Sequence, residues 1–199
     1  MNMYQRVKKD TKWSILKLGH FSPYELKKEV ESFSEEWLLD ISRQNHGLVH
    51  RSTEMFRLCA TDYNWIPNTP VETIHYNSFK NKSSNDDLNF IFKTLEEYYS
   101  GKIIRCEIIK LYANSQIHKH VDGGPILNYS RRVHIPLITN KEVTFTVMDN
   151  TIHMEEFGWY EINNQMPHSA NNPSSQDRVH MIIDILPNDM LNYTKIGEK

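Results

Sequence analysis

The second half of the chain is a series of short strand-like segments, and this series constrains the fold most strongly. Several apolar or alternating segments follow one another between Lys102 and Leu186, spaced roughly 8–12 residues apart. Turn residues such as Asp149-Asn150 and Asn163-Asn164 separate them. Short strands at this spacing are typical of a β-sandwich or a β-barrel.

The first half carries helical patterns. The run Ser22-Pro23-Tyr24-Glu25 resembles a helix start with a serine N-cap, a proline in the first turn and a glutamate that completes a capping box. A second helix is predicted from Ser84 to Ser100, with Gly101 as its end. Apolar residues of the first helix recur at helical spacing: Leu26, Val30, Phe33 and Trp37. Helices followed by strands predict an α+β fold, with the helices packed on one side of a jelly roll.

A chain of 199 residues with 39% hydrophobic residues is large enough for one domain with a full core. We expect a single domain over 1–199. Residues 1–101 would give helical and substrate-side support, 102–187 would form the jelly-roll core, and 188–199 would be a tail.

Charge and hydropathy argue against two classes of partner. A net charge of −2 gives no reason to expect binding to nucleic acid or to an anionic membrane. No apolar run has the length of a transmembrane helix, and the N-terminus lacks the apolar core of a signal peptide. The expected location is therefore the cytoplasm, where Cys59 and Cys106 would be buried free thiols.

A histidine and a carboxylate that could share a metal ion lie in Ile117-His118-Lys119-His120-Val121-Asp122-Gly123-Gly124. His120 and Asp122 are two residues apart, so their side chains point the same way on an extended strand. The best candidate for a third ligand is His168. Two histidines and one carboxylate with open coordination positions form the facial triad of non-haem Fe(II) oxygenases.

His118 shares a strand face with His120 and Asp122, so it is a competing candidate for a metal ligand. Gly123-Gly124 favours His120 and Asp122, since the glycines mark where the strand opens at a rim. His118 would then lie deeper or orient a ligand. Structural zinc prefers closed, thiolate-rich sites, and calcium needs more oxygen ligands, so both metals fit this set less well.

Arg178 opens an otherwise apolar strand at the same end as His168. A buried arginine needs an anion. Asp184 could supply it in a structural salt bridge, or a ligand carboxylate could bind the planar guanidinium, and the position beside His168 favours the ligand. Arg132 and His134 share a face of another strand and could bind a second carboxylate.

In this order, the motifs resemble the aspartyl/asparaginyl β-hydroxylase family. They are His120-x-Asp122, Arg132-x-His134-Ile135-Pro136-Leu137, Gly158-x-Tyr160-x-Ile162-Asn163, His168 and Asp177-Arg178-x-His180-x-Ile182-x-Asp184. The resemblance covers Ile103 to Leu186 and extends more loosely to His50-Arg51-Ser52-Thr53. It implies a double-stranded β-helix with iron on the predicted triad. Arg178 would hold the distal carboxylate of 2-oxoglutarate, and Arg132 and His134 would approach its other end.

The resemblance further implies an Fe(II)- and 2-oxoglutarate-dependent dioxygenase with dioxygen as co-substrate. It would hydroxylate an unactivated carbon of an amino acid or amino-acid residue, so its partner is a small-molecule or peptide substrate. No oligomeric state is predicted. Substrate contacts are expected from four residues of the first half, although the two aromatic ones are also ordinary core anchors: His50, Thr53, Trp65 and Tyr76.

The alternative is a cupin-like metal- or sugar-binding protein without oxygenase activity. His118-x-His120 and His168-x-x-x-Asn172 partly imitate cupin spacings. The glutamate expected after the first cupin pair is absent, and Arg178 would have no role. A third possibility is a pseudoenzyme or structural jelly roll whose histidines are only polar groups of the core.

Overall fold

The computed structural model describes residues 14–45, 48–62, 64–65 and 69–191. The strands in these ranges are β1 (Ile15–His20), β2 (Thr53–Thr61), β3 (Thr73–His75), β4 (Gly101–Leu111), β5 (Ser115–His120), β6 (Arg131–Ile138), β7 (Thr144–Val147), β8 (Asn150–Ile152), β9 (Gly158–Ile162), β10 (His168–Asn172) and β11 (Arg178–Pro187). The α-helices are α1 (Tyr24–Glu31), α2 (Ser42–Asn45), α3 (Lys82–Tyr99) and α4 (Asn188–Leu191). Short 3-10 helices span Glu35–Leu38, Leu48–His50 and Pro125–Asn128.

The strands form two antiparallel sheets. The larger sheet has the order β1-β9-β6-β11-β4-β2-β3, and the smaller sheet has the order β5-β10-β7-β8. Side chains from both sheets line one shared cavity between them. The predicted α+β jelly roll is therefore confirmed. The first half of the chain supplies β1, β2 and β3 to the larger sheet, and residues 192–199 of the predicted tail lie outside the described ranges.

The central strand β11 shows how the larger sheet serves two environments. Val179, Met181 and Ile183 belong to the main apolar cluster, which also contains residues of α1 and α3. The alternate positions Arg178 and Asp184 are also buried but on the opposite face. The helices thus cover one face of the sheet, as predicted, and the polar groups of the other face are turned towards the smaller sheet.

Helix α3 begins and ends on identifiable contacts. The Asn81 side chain caps its N-terminus by accepting a hydrogen bond from the Ser83 N–H at 3.0 Å. Ser100, with φ of 46°, is the left-handed residue that ends the helix, rather than Gly101. Gly101 is needed for a different reason, because a Cβ there would lie 2.6 Å from the Leu186 carbonyl oxygen.

The first predicted helix is shorter than its apolar pattern indicated. Helix α1 ends at Glu31, and Trp37 is buried from a separate 3-10 helix. The predicted capping box is wrong: the Ser22 side chain makes no cap bond, and the backbone carbonyl of Ser22 accepts from the Tyr24 N–H instead. At the other end, the hydroxyl of Ser32 donates to the Glu29 carbonyl at 2.6 Å, a local bond that competes with helix continuation.

The two cysteines are buried free thiols, as predicted. Cys59 and Cys106 are neighbours across β2 and β4. Burial raises the pKa of Cys59 to about 11, so this thiol stays protonated at neutral pH. Among the described residues, no helix is both long and apolar enough to cross a membrane.

Candidate metal centre

Strand pairing in the smaller sheet brings the two predicted histidine ligands together. β5 and β10 are antiparallel neighbours, and His120 is the register partner of His168. Asp122 follows the end of β5, where its backbone N–H donates to the Asn164 carbonyl at 3.3 Å. A ladder contact and a loop contact therefore place the three side chains at one end of the smaller sheet.

The predicted triad has a spacing suited to one metal ion. One potential ligand atom from each of His120, Asp122 and His168 lies within 4.8 Å of the others. The Nε2 atoms of His120 and His168 are each 3.6 Å from a carboxylate oxygen of Asp122. The His118 side chain is exposed and outside this group. The structure therefore groups His120, and not His118, with Asp122 and His168.

Backbone carbonyls fix the tautomer of both histidines. The Nδ1 atom of His120 lies 2.8 Å from the His118 carbonyl oxygen, and that of His168 lies 2.9 Å from the Met166 carbonyl oxygen. A carbonyl oxygen can only accept, so Nδ1 carries the proton in both rings. Each Nε2 lone pair is then available to a metal. His118 orients the His120 ring through its backbone carbonyl, whereas its side chain is exposed rather than deeper in the site.

The charges of the site favour an ionised carboxylate. Burial raises the pKa of Asp122, but the nearby His120 ring, followed by His168 and Arg105, outweighs this effect and holds the pKa below its ordinary value. Burial also lowers the pKa of His168, against the opposing effect of Asp122. An anionic oxygen ligand and a neutral imidazole are the forms that bind a divalent cation.

Arg178 lies behind the triad as a buried cation. It is 1% exposed, and its Nη2 contacts Nδ1 of His180 at 2.5 Å. Its Nε and Nη1 atoms have no hydrogen-bond partner among the described residues. The structural alternative, a salt bridge to Asp184, is not observed, because Asp184 binds Arg105 and Arg132 instead. Two orphaned guanidinium donors in a cavity fit an incoming carboxylate.

His134 completes this end of the cavity. Both of its ring nitrogens are buried without a hydrogen-bond partner in the described part of the chain. Burial holds the pKa of His134 well below its ordinary value, and the charge of Arg178 adds to this effect. The ring is therefore neutral and has one donor and one acceptor to offer. Orphaned polar atoms on His134 and Arg178 match the oxygen-rich 2-oxoglutarate predicted for this end.

Arg132 is placed differently from His134, although both line the cavity. Its Nε and Nη2 donate to the two oxygens of Asp184 at 2.9 and 3.1 Å. Its Nη1 donates to Oδ2 of Asp122. The described contacts of Arg132 are thus with carboxylates of the chain itself, and its expected contact with 2-oxoglutarate stays a prediction.

A larger cavity of about 460 Å³ lies on the outer side of Asp122. His50 lines it, and the His50 ring stands perpendicular to the His120 ring with centroids 5.1 Å apart. Burial lowers the pKa of His50 to about 3, with Arg43 and His120 adding to the effect, so the ring is neutral. Thr53 supports this residue from behind, since its hydroxyl donates to the His50 carbonyl at 2.7 Å.

The two predicted aromatic substrate residues lie elsewhere. Trp65 is buried in an apolar cluster, and its Nε1 donates to the Thr69 carbonyl at 3.1 Å. Tyr76 is 51% exposed, and its ring packs against the Arg57 guanidinium at 5.6 Å. Of the four predicted substrate residues, His50 lies beside the triad, and Thr53 supports His50.

Sequence reasoning missed charged residues that line the outer cavity: Arg43, Arg57, Arg105 and Glu107. Arg105 and Glu107 are two residues apart on β4, inside an otherwise apolar run. Charged residues with same-face spacing in a buried strand were the signal that singled out Arg178, and it could have found this pair too. Arg43 lies on α2, where no pattern distinguishes it from a surface residue.

The family comparison covers this site. The sequence model described as aspartyl/asparaginyl beta-hydroxylase matches residues 76–187, more than half of the chain. The match contains the triad and both cavity arginines of β6 and β11. The match is to a hydroxylase family, so it argues against the cupin-like alternative, which would also leave Arg178 without a role.

Solved structures of low sequence identity share the fold. The viral collagen prolyl hydroxylase of Paramecium Bursaria Chlorella virus-1, in its 2OG complex, is 9% identical with a TM-score of 0.54, over 88% of this chain and 97% of that chain. The nickel complex of the non-heme monooxygenase ThoJ is 11% identical with a TM-score of 0.51, over 94% of this chain and 77% of that chain.

A 2OG-Fe(II) oxygenase-family oxidoreductase from Burkholderia pseudomallei is 13% identical, with a TM-score of 0.49. The match covers 67% of this chain and 66% of that chain. The family match carries the assignment, and the triad offers three ligand atoms that lie close enough together to hold one metal ion. The chain therefore belongs to the aspartyl/asparaginyl beta-hydroxylase family and is an oxygenase whose cofactors are Fe(II) and 2-oxoglutarate.

Proposed function

We propose that this protein hydroxylates an unactivated carbon of an amino acid, either free or as a residue of a peptide, with dioxygen as co-substrate. The observation that carries the proposal is the position of Arg178. Its buried guanidinium has unpartnered donors in the cavity that the His120, Asp122 and His168 side chains also line. A metal site with a carboxylate receptor behind it is the arrangement that a 2-oxoglutarate-dependent enzyme needs.

The residues divide into two binding ends. His120, Asp122 and His168 would hold Fe(II), and Arg178 with His134 would bind a carboxylate of 2-oxoglutarate. When bound, the metal and 2-oxoglutarate would supply the chemistry that activates dioxygen, the oxidant, so that one of its oxygen atoms enters a C–H bond and the other is taken up as 2-oxoglutarate becomes succinate and carbon dioxide. The apolar side chains in the same cavity wall keep water from the inner end, which strengthens each charge contact there: Ile117, Phe145 and Ile182.

The outer cavity supports an amino acid as the substrate. It presents cationic side chains and the buried carboxylate of Glu107, which accepts from Nε of Arg57 at 3.2 Å, so a zwitterion would meet charges of both signs there. His50 lines the same cavity, and its ring centroid lies 5.1 Å from that of His120. A neutral imidazole at this point can donate or accept a hydrogen bond to a polar substrate without adding charge.

Two measurements test the proposal. Fe(II) and 2-oxoglutarate added anaerobically should give a metal-to-ligand charge-transfer absorption, and the protein should then convert one or more amino acids or peptides to products heavier by one oxygen atom, with matching succinate. His118→Ala is the matched control for His120→Ala, because both histidines lie on β5 but only one has its side chain in the site. Absence of the absorption in the wild-type protein would refute the oxygenase site. The absorption without any oxygenated product from a broad amino-acid and peptide screen would refute the substrate class.

A further inference from the structure

Asp184 and two arginines form a row across three adjacent strands beneath the triad. Asp184 on β11 is the register partner of Arg105 on β4 and of Arg132 on β6. All three side chains point to the cavity face and are buried, with Asp184 fully so. Arg105 reaches Asp184 Oδ2 through Nε at 2.6 Å, and Arg132 reaches both oxygens from the other side.

Asp184 is shared by two cations, and each of them also contacts a second carboxylate. Nη1 of Arg105 lies 3.9 Å from Oε2 of Glu107, and Nη1 of Arg132 donates to Oδ2 of Asp122. A buried cation that is paired on one side only is costly, and a bidentate contact to Asp184 orients the Arg132 guanidinium so that its remaining nitrogen faces Asp122. The row and the metal ligand are therefore one connected ion-pair network.

Asp122 depends on this support more than the other two ligands do. His120 and His168 lie on paired strands, and backbone carbonyls orient their rings. Asp122 lies beyond the end of β5, next to Gly123 and Gly124, and among the described residues one backbone bond, to the Asn164 carbonyl, holds its main chain. The orientation of its carboxylate is set by Arg132 on one side, while Oδ1 stays 3.6 Å from the Nε2 atom of His120.

We propose that Asp184 and Arg132 are positioning residues for the metal: Asp184 holds Arg132, and Arg132 holds one oxygen of Asp122 so that the carboxylate is oriented towards the two histidines. The inference rests on the metal site of the proposed function and gives Arg132 a role other than contact with 2-oxoglutarate. Partners that orient a metal ligand typically change metal affinity by about 10- to 100-fold when they are replaced.

The test is a titration with Co(II), which does not oxidise in air as Fe(II) does. Arg132→Lys keeps the charge but loses the planar guanidinium, and Asp184→Asn keeps the shape but loses the charge. Each should weaken Co(II) binding by about 10- to 100-fold. Arg131→Lys is the matched control, because Arg131 is the neighbouring arginine on the opposite face of β6, where it contacts Glu161 at 3.4 Å. It should bind Co(II) like the wild-type protein.

A double-mutant cycle separates positioning from general damage to the fold. In an Asp122→Ala background the oriented carboxylate is gone, so adding Arg132→Lys should cause no further loss of Co(II) affinity. An equal loss in both backgrounds would overturn the inference. The inference would also be overturned if Arg132→Lys bound Co(II) with wild-type affinity. This holds even if the variant binds 2-oxoglutarate more weakly at saturating Co(II). If Asp184→Asn does not fold, the Arg132 cycle alone decides. Failure of the wild-type protein to bind Co(II) would refute the proposed function itself.

Discussion

His120 and His168 face one another across neighbouring strands of the smaller sheet, with ring centroids 4.4 Å apart. Each ring is turned by a hydrogen bond to a backbone carbonyl two residues earlier in the chain. Main-chain geometry therefore preorganises both Nε2 atoms. Preorganised ligands of this kind lose little freedom when a cation arrives.

The His168→Ala variant should lose tight metal binding and the succinate that the protein makes from 2-oxoglutarate without substrate. The reason is that a single carboxylate and a single imidazole cannot complete the site. Co(II) titration and succinate detection measure the two effects. His118→Ala, whose substituted side chain is exposed, should keep both. Succinate formation by His168→Ala at the wild-type rate would remove this histidine from the ligand set.

Arg178→Met should separate cofactor binding from stability. Loss of charge-assisted hydrogen bonds should weaken 2-oxoglutarate binding by about 10- to 100-fold while Co(II) binding is retained. In the absence of 2-oxoglutarate the same variant should be as stable as the wild-type protein or more stable, by up to about 4 kcal/mol, since it removes a buried charge that no carboxylate of the described chain neutralises.

Urea unfolding of the wild-type protein and of Arg178→Met, with and without 2-oxoglutarate, measures both effects as free energies of unfolding. A large loss of stability in Arg178→Met without ligand would show that the arginine serves the fold rather than the co-substrate.

His50→Ala should raise the KM for the substrate and leave the charge-transfer absorption of Fe(II) with 2-oxoglutarate unchanged. His50 lines the outer cavity and contacts the ring of His120, but it is not part of the triad. Tyr76→Phe is a suitable control, since Tyr76 is half-exposed and packs on Arg57. An unchanged KM in His50→Ala would exclude this residue as a substrate contact.

Gly101→Ala should destabilise the fold by about 1–3 kcal/mol, because the new methyl group would overlap backbone atoms that cannot move aside. The nearest of these atoms, the Leu186 carbonyl oxygen, would be 2.6 Å away. Gly19→Ala is the comparison, since a Cβ there meets nothing within 4 Å. Denaturant unfolding of the two variants should show a clear loss for Gly101→Ala and little change for Gly19→Ala.

The ligands that could be predicted from sequence are those whose signal is local. His120 and Asp122 share a strand and a spacing, and Arg178 is a charge in an apolar run beside His168. The partners of Asp184 could not be predicted, since they depend on the strand order β6-β11-β4, which no spacing within one strand encodes. Arg105 and Glu107 do carry a local signal, since they are two charged residues with same-face spacing in the apolar run of β4.

The wrong predictions have a common physical cause. The capping box at Ser22 and the helix extending to Trp37 were inferred from patterns that a local helix would satisfy. In the folded protein, Trp37 is buried from a separate 3-10 helix and packs against the Lys110 ammonium at 4.3 Å. Tertiary contacts buried the apolar side chains without a continuous helix. Trp65 lies in an apolar cluster, in line with the core role that its sequence position also allowed.

Different parts of the fold carry the reactive groups and the outer cavity, and this affects how substrate recognition can change. The two histidines belong to the smaller sheet and Arg178 to the larger sheet, whereas part of the outer cavity is lined by residues outside the strands: Arg43 and His50 before β2, and Gly124 and Leu127 before β6. Substitutions in those segments can reshape what is recognised while the strands preserve the reactive machinery. New specificities are therefore accessible to evolution, and to directed engineering, through a small set of positions that lie outside the ladders.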